Sequence, residues 1–392
     1  MSDAAPFGNY QYEIYLRGLA GELPELPIDW AQLEAAAEAE LDAGARGYVF
    51  GGAGSEDTQR ENLEAFRRWR LMPRMLRDVS VRDTATTILD TELPAPIVLA
   101  PVGVQSIVHP EGELAVAHAA AAQGVGMIAS TASSFTLEEI AEAGGPGAPR
   151  WFQLYWPRGE ELAASLVHRA EAAGYEALVV TLDTWLLAWR PRDLQGAYLP
   201  FLKSIGIANY LSDPVFRSTL AAPPEEDPQA AVGQFVSVFS NPTVTWEQLD
   251  FLRETTSLPI LLKGVLHPDD AREARERGMD GLVVSNHGGR QVDGAVAALD
   301  ALGPIADAVG ESLALVLDSG VRSGADVAKA LALGADVVGI GRPYLWGLAL
   351  AGEDGVRHVL KNLLAELDLT LALSGLTSPA QLDREAITRV ER

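Results

Sequence analysis

Cysteine is absent from all 392 residues, which excludes a disulfide framework, a thiolate zinc or iron–sulfur site and a cysteine nucleophile. Any redox chemistry must therefore run through a bound cofactor. Basic residues are scarce: 30 lysines and arginines stand against 54 aspartates and glutamates, a formal charge of −24, which argues against nucleic acid or anionic lipid as a partner. Long apolar runs are missing as well. No stretch of about 20 uncharged apolar residues occurs, and the first thirty residues hold no basic segment followed by an apolar one. The expectation is a soluble cytoplasmic protein with no membrane partner. Its length allows a core that needs no covalent support.

What is present is an alternation. Eight apolar runs follow Pro94, namely Ile97–Ala100, Gly126–Ser130, Trp151–Tyr155, Ala177–Leu182, Ile260–Lys263, Gly281–Ser285, Leu313–Leu317 and Val337–Ile340. An alanine-rich amphipathic stretch follows each, which is the βαβ pattern. Successive runs start within about 35 residues of each other, as a strand, a helix and two loops require, except between the fourth and the fifth. Apolar residues throughout each run imply strands covered on both faces. The expected fold is therefore α/β, a closed (β/α)8 TIM barrel with an N-terminal helical segment and a long lid insertion after strand 4. An open doubly wound sheet is disfavoured because no Gly-x-Gly-x-x-Gly follows the first strand.

The whole chain, 1–392, is expected to be one domain: an N-terminal arm and helices over 1–93, the barrel over 94–350 with its lid at about 194–240, and a C-terminal helix and tail over 351–392. Met1 to Leu26 has no clear period and reads as an arm suited to a subunit contact. Asp29 is placed to cap a helix that runs to Asp42 and stops at Gly44, and a second helix is expected near Ser55. Within the insertion, Ala221-Ala-Pro-Pro-Glu-Glu-Asp-Pro228 is not expected to form a strand or helix.

Chemistry in such a barrel gathers at the carboxyl ends of the strands. Those ends carry Ala100-Pro-Val-Gly103, Ser130, Gln153 with Tyr155, Thr181 with Asp183 and Arg190, Lys263, Ser285-Asn-His-Gly-Gly-Arg290, Asp318-Ser-Gly-Val-Arg322 and Gly341-Arg342. Any single Ser, Thr or Gln there is as readily a solvated loop residue. The convergence of Lys263, Arg190, Arg290, Arg322 and Arg342 on one face of an acidic chain is harder to dismiss, and suits capture of a small anion. Glycine-containing turns after strands 7 and 8, with Gly320, Gly324 and Gly341, are where a phosphate docks in this architecture, with Arg322 and Arg342 as charged donors. One histidine among six is ordinarily structural. His287, however, directly follows a strand in a glycine-flanked turn and stands three residues before Arg290. A general base beside a carboxylate-gripping guanidinium suits oxidation of a 2-hydroxy acid. The remaining histidines lack partners for a metal centre, so no metal is expected.

In order and over nearly the whole chain, these residues resemble the family of FMN-dependent 2-hydroxy acid oxidising enzymes. The matching motifs are Tyr48 with Gly51-Gly-Ala-Gly-Ser-Glu-Asp57, Ala100-Pro-Val-Gly103, His109-Pro-Glu-Gly112, Lys263-Gly-Val, Ser285-Asn-His-Gly-Gly-Arg-Gln291, Asp318-Ser-Gly-Val-Arg322 and Gly341-Arg-Pro343. The resemblance implies His287 as the base, Asp183 as its carboxylate partner, and Arg190 and Arg290 as holders of the substrate carboxylate, with Tyr48 and Tyr155 in the same pocket. For FMN it implies Pro101, Val102 and Gly103 against the ring, Ser130, Gln153, Thr181 and Ser285 bonding ring or ribityl chain, and Lys263 at the N1–C2 edge. Asp318 would meet the ribityl hydroxyls. The Ser319-Gly320-Val321 backbone, Arg322, Gly341 and Arg342 would hold the phosphate.

Three departures from the family pattern point toward its lactate 2-monooxygenase branch. Gly103 replaces a usual alanine and is expected to leave room beside the flavin. Trp185-Leu-Leu-Ala-Trp189 is expected to make a bulkier apolar pocket wall, and the insertion is long and acidic. Ser319 replaces a usual glycine, which matters only if that position needs positive φ. The expected reaction takes L-lactate and O2, retains pyruvate and yields acetate, CO2 and water. The alternative is an oxidase that releases pyruvate and H2O2. Homo-tetramers or homo-octamers are implied. A Schiff-base aldolase built on Lys263 leaves Arg322 and Arg342 without a purpose, and a non-catalytic flavin-binding barrel differs by staying yellow when lactate is added.

Overall fold

Eight short strands, each apolar on both sides, give a closed parallel barrel in the computed structural model, which describes residues 5–390. The strands are β1 Ile97–Leu99, β2 Gly126–Ser130, β3 Arg150–Tyr155, β4 Leu178–Thr181, β5 Ile260–Val265, β6 Gly281–Val284, β7 Ala314–Leu317 and β8 Val337–Ile340, each within two residues of the run seen in the sequence. Pairing is sequential around the ring, and β8 closes it against β1.

The two-residue period of the strands divides the core in two. Val98, Ile128, Val179, Leu261, Val283, Val316 and Val337 gather inside the barrel. Their strand neighbours, such as Leu99, Ala129, Val180 and Leu262, join the larger outer core with the surrounding helices. An antiparallel hairpin, Thr86–Ile88 with Thr91–Leu93, adds Ile88 and Leu93 to the inner cluster beside Trp151 near the start of β3, and so plugs the amino-terminal end. Thr91 Oγ1 accepts from the Trp151 indole at 3.1 Å and donates to Glu176 at 2.9 Å.

Four helices precede the barrel: α1 Tyr10–Leu19, α2 Trp30–Glu40, α3 Ala43–Phe50 and α4 Asp57–Arg67. Helix α1 corrects the expectation of an aperiodic arm. It has no buried residue, so it carries no apolar stripe for a sequence pattern to reveal. Asp29 caps α2 through Gln32 N. The break expected at Gly44 falls instead at Leu41, whose backbone is extended. Asp42 then caps α3 through Ala45 N, and Gly44 lies in the first turn of α3, where a side chain would run into the Tyr198 ring.

Between β4 and β5 the chain forms short helices, among them Ala208–Leu211, Pro214–Ser218 and Pro228–Phe239. These bury Tyr210, Phe216, Phe235 and Phe239 in contact with one another, and Phe239 packs edge-on to Tyr155 at 5.3 Å between ring centres. The insertion is thus a packed helical cap on one side of the barrel mouth. The acidic piece before Pro228 is turn, with Asp227 capping the helix that follows. After β8, the helical stretch Arg342–Leu373 kinks at Ala351 and Gly352. The strand Ile387–Arg389 then pairs with Trp69–Leu71. No helix among the described residues is long and apolar enough to cross a membrane.

Candidate active site

The inward-facing row of each strand turns polar where it leaves the barrel core. Two residues beyond Ile128, Trp151, Val179, Leu261, Val283 and Val316 stand Ser130, Gln153, Thr181, Lys263, Ser285 and Asp318, all buried. Buried polar groups need partners, and here they find one another. Ser130 Oγ donates to Gln153 Oε1 at 2.8 Å, and Gln153 Nε2 donates to Thr181 Oγ1 at 2.9 Å. Lys263 Nζ donates to Ser285 Oγ at 2.9 Å and lies 3.6 Å from Asp318 Oδ2.

One further step up these rows brings His287 and Asp183 together. His287 Nδ1 is 2.8 Å from Asp183 Oδ1, and both side chains are mostly buried. Thr184 Oγ1 donates to the same carboxylate oxygen at 2.8 Å. Burial pushes Asp183 up, but His287 and Lys263 outweigh it and hold the carboxyl well below its usual range. His287 goes the other way: burial lowers it, Asp183 raises it, Lys263 lowers it further, and the net result lies below the ordinary imidazole value of 6.5. At neutral pH the ring is therefore uncharged. The Asp183 contact fixes its proton on Nδ1, so the lone pair sits on Nε2, 3.5 Å from Tyr155 OH.

Two guanidinium groups flank this pair. Arg290 stacks over the Tyr48 ring at 4.7 Å, and its Nη1 donates to the carbonyls of Tyr48 and Gly51. Its Nη2 is buried without a partner. Arg190 donates from Nε to the Arg290 carbonyl at 2.9 Å and from Nη2 to Gln291 Oε1 at 2.6 Å. Burial, then Arg290, brings Arg190 down to about 10. The unpaired Arg290 Nη2 is thus a buried charged donor that an anion such as a carboxylate would satisfy.

A second cationic pair lies beyond Lys263. Arg322 rests over the Trp346 ring at 5.0 Å with Nε buried and unpaired. Burial lowers Arg322, and burial followed by Arg290 and Arg322 lowers Arg342 well below its ordinary value. Arg342 already donates to the carbonyls of Val49, Gly288 and Gly51 and to Gln59 Oε1, so it ties α3 and α4 to the His287 turn as well as facing the cavity. Ser319 does sit at positive φ, +77°. Its hydroxyl donates to Asp318 Oδ1 and accepts from Gly288 N and Asn286 N. The residue that replaces glycine thus adds a cross-link to a strained position.

A cavity partly open to solvent joins these groups. Pro101, Val102 and Gly103 line it with Lys263 and His287, as do Tyr48, Tyr155 and Arg290, while Asp318 through Arg322, Gly341 and Arg342 line its other part. The buried Arg322 Nε has no partner and an anion would supply one, so the residues present fit a phosphate-bearing ligand such as the expected FMN. Asp183 and Arg190 do not line the cavity; they touch His287 and Arg290, which do. Ser130, Gln153, Thr181 and Ser285 lie behind it, bonded to neighbours.

Gly103 corrects an expectation. A methyl there would overlap the Ala132 carbonyl oxygen, which already accepts from Val104 N. The glycine lets two strand-end loops touch, and it opens no extra room. Nor do Trp185, Leu186, Leu187, Ala188 or Trp189 wall the cavity; Trp189 is 74% exposed. Sequence reasoning missed Thr184 and gave Gln291 no role, although Gln291 also donates to the Asp183 carbonyl. The signal for Gln291 lay in its place beside Arg290.

Residues 37–389 match the family described as FMN-dependent dehydrogenase. An FMN-dependent alpha-hydroxy acid dehydrogenase of Schizosaccharomyces pombe is 46% identical over 394 residues, covering 98% of this chain and 97% of that protein. An L-lactate oxidase of Lysinibacillus sphaericus is 45% identical over 366 residues, 93% of this chain and 94% of the relative. A crystal structure of mandelate oxidase superposes with a TM-score of 0.82 at 40% identity, covering 93% of this chain and 98% of that one.

Proposed function

Because this chain belongs to the FMN-dependent dehydrogenase family and oxidises 2-hydroxy acids with FMN as its cofactor, we propose that it is an oxidase of L-lactate or a similarly small L-2-hydroxy acid. It releases the 2-keto acid and hydrogen peroxide: L-lactate and O2 give pyruvate and H2O2. The observation that carries this reading over the monooxygenase is the contact at Gly103, where the Ala132 carbonyl takes up the room the glycine was expected to leave beside the flavin. The absence of the tryptophans from the cavity wall and the L-lactate oxidase name of a relative matched over 93% of this chain support it.

When bound, FMN would supply a two-electron acceptor that dioxygen can reoxidise. Arg322, Arg342 and the backbone at Gly320, Val321 and Gly341 would hold its phosphate, Asp318 would meet the ribityl chain, and Lys263 with Pro101, Val102 and Gly103 would border the ring. Arg290, supported by Arg190, binds the substrate carboxylate through its unpaired Nη2. His287 takes a substrate proton at Nε2, and Asp183 stabilises the resulting imidazolium through Nδ1. Tyr155, whose ionisation burial makes harder, keeps its hydroxyl proton and orients the substrate.

The monooxygenase alternative, yielding acetate, CO2 and water, has the packed insertion against Tyr155 in its favour. Incubation of the flavin-loaded protein with L-lactate under air separates the two. Pyruvate and peroxide in equal amounts are expected, and acetate as the main product, formed without free peroxide, overturns the oxidase assignment.

A further inference from the structure

We infer that Asn62, on helix α4 outside the barrel, is a positioning residue for His287, fixing the turn that presents the imidazole and joining it to the loop that borders the phosphate end of the cavity. His287, Gly288 and Gly289 are consecutively left-handed, at φ +58°, +65° and +77°. Positive φ is uncommon for any residue with a side chain and is kept where the surroundings favour it. Three side-chain oxygens do so by capturing the three successive N–H groups. His287 N donates to Ser285 Oγ at 3.1 Å, Gly288 N to Ser319 Oγ at 2.9 Å and Gly289 N to Asn286 Oδ1 at 3.1 Å.

The Asn286 side chain is held in its turn by Asn62, while the Asn286 backbone N donates to Ser319 Oγ. The two buried amides face each other in a reciprocal pair, Asn62 Nδ2 to Asn286 Oδ1 at 2.8 Å and Asn286 Nδ2 to Asn62 Oδ1 at 2.7 Å. Their outer partners fix which atom is which: Asn286 Nδ2 also donates to the Val296 carbonyl, and Asn62 Oδ1 also accepts from Ala298 N. A carboxamide at position 62 offers on one planar group the donor and the acceptor that this pair uses. Asn62 also abuts the second loop. A Cβ at Gly320 would lie 2.5 Å from the Asn62 carbonyl oxygen, and a Cβ at Gly289 2.6 Å from Gln59 N, so α4 lies flush against both loops. Its amino-terminal end is pinned by Asp293, which accepts from Ser55 N at 2.6 Å and from Asp57 N at 2.7 Å.

The inference rests on His287 being the base, and the test separates the two. Asn62→Ala, Asn62→Asp, His287→Ala and the Asn62→Ala/His287→Ala double variant are loaded with FMN, and flavin bleaching by L-lactate is followed anaerobically across pH. Asn62→Ala is expected to slow limiting reduction by about tenfold to a hundredfold, as small displacements of reacting groups do. FMN and pyruvate affinities should stay within about threefold, and the acid limb should move up toward the ordinary imidazole value as the ring loosens. The double variant should be no slower than His287→Ala alone. Asn62→Asp, equal in volume but lacking the donor, carries the same test if Asn62→Ala does not fold. Wild-type reduction in the folded variant, losses that multiply in the double variant, or a rate loss matched by loss of FMN overturns the inference. Near-normal reduction by His287→Ala overturns the base assignment itself.

Discussion

Replacing Asp183 by Asn removes the one carboxylate among the described residues in contact with the His287 ring while keeping shape and an acceptor oxygen. The contact is 2.8 Å between mostly buried groups. Unit charges about 4 Å apart in surroundings of effective dielectric about 20 attract by about 4 kcal/mol, and this attraction is realised only once the imidazole has taken the substrate proton. Loss of it slows proton removal by about 10²–10³-fold, at about 1.36 kcal/mol per factor of ten. The pH dependence has a defined sign. Wild-type reduction rises with pH as His287 loses its proton, with its midpoint below 6.5 because burial outweighs Asp183. Without Asp183, burial, Lys263 and Arg190 all disfavour the imidazolium, so the acid limb moves to still lower pH while the plateau drops. FMN remains bound, since Asp183 does not line the cavity. Anaerobic stopped-flow reduction by L-lactate between pH 5 and 9 reads both changes. A plateau within tenfold of wild type, or an acid limb displaced upward, would refute the reasoning.

Arg322→Gln removes a buried cation with an unpaired Nε, so FMN should bind about 10- to 100-fold more weakly, the worth of one charge-assisted hydrogen bond. Riboflavin, which lacks the phosphate, should be unaffected in fluorescence titrations, and equal losses would remove the phosphate role. Gly103→Ala forces a methyl into the Ala132 carbonyl and should destabilise the holoenzyme by about 1–3 kcal/mol without shifting product from pyruvate to acetate; calorimetry and product analysis check the two halves. Glu113 is fully buried, accepts from Gln105 N and Ser134 N, and is pushed up from 4.5 to about 7 by burial. The folded state therefore holds the proton longer than the unfolded chain, and this group withdraws up to about 3 kcal/mol of stability as pH rises from 4.5 to 7. Glu113→Gln keeps the acceptor and loses the slope, so its melting temperature should gain on wild type between pH 5 and 8, and a constant difference would exclude the ionisation.

The barrel was legible because its strands obey one rule on both faces. Burial inside and outside makes each run apolar throughout, and the runs recur at the spacing a helix demands. The same period carries further than the fold: following the inward row past Val283 or Leu261 leads to Ser285 or Lys263, so the polar strand ends were readable as positions. Helix α1 was not legible because none of its residues is fully buried, and the aromatic core of the insertion was not because Tyr210, Phe216 and Phe235 meet only after the chain has turned several times.

A polar side chain becomes functional through what reaches it, and that is where the sequence falls silent. Ser130, Gln153 and Thr181 stand at the mouth of a barrel as expected, yet each is first of all a neighbour's partner. Asn62 carried no signal because its partner lies 224 residues away, and Gly103 misled because an absent methyl says nothing about what fills its place. Ser319 joins both lessons. Its positive φ argues for glycine, and the serine is tolerated because its hydroxyl gathers Asp318, Asn286 and Gly288 into one knot. The strain at Ser319 and at His287 is thus stored in two touching loops, and each loop holds the other's unfavourable backbone in place, which is why disturbing either should be felt at the imidazole.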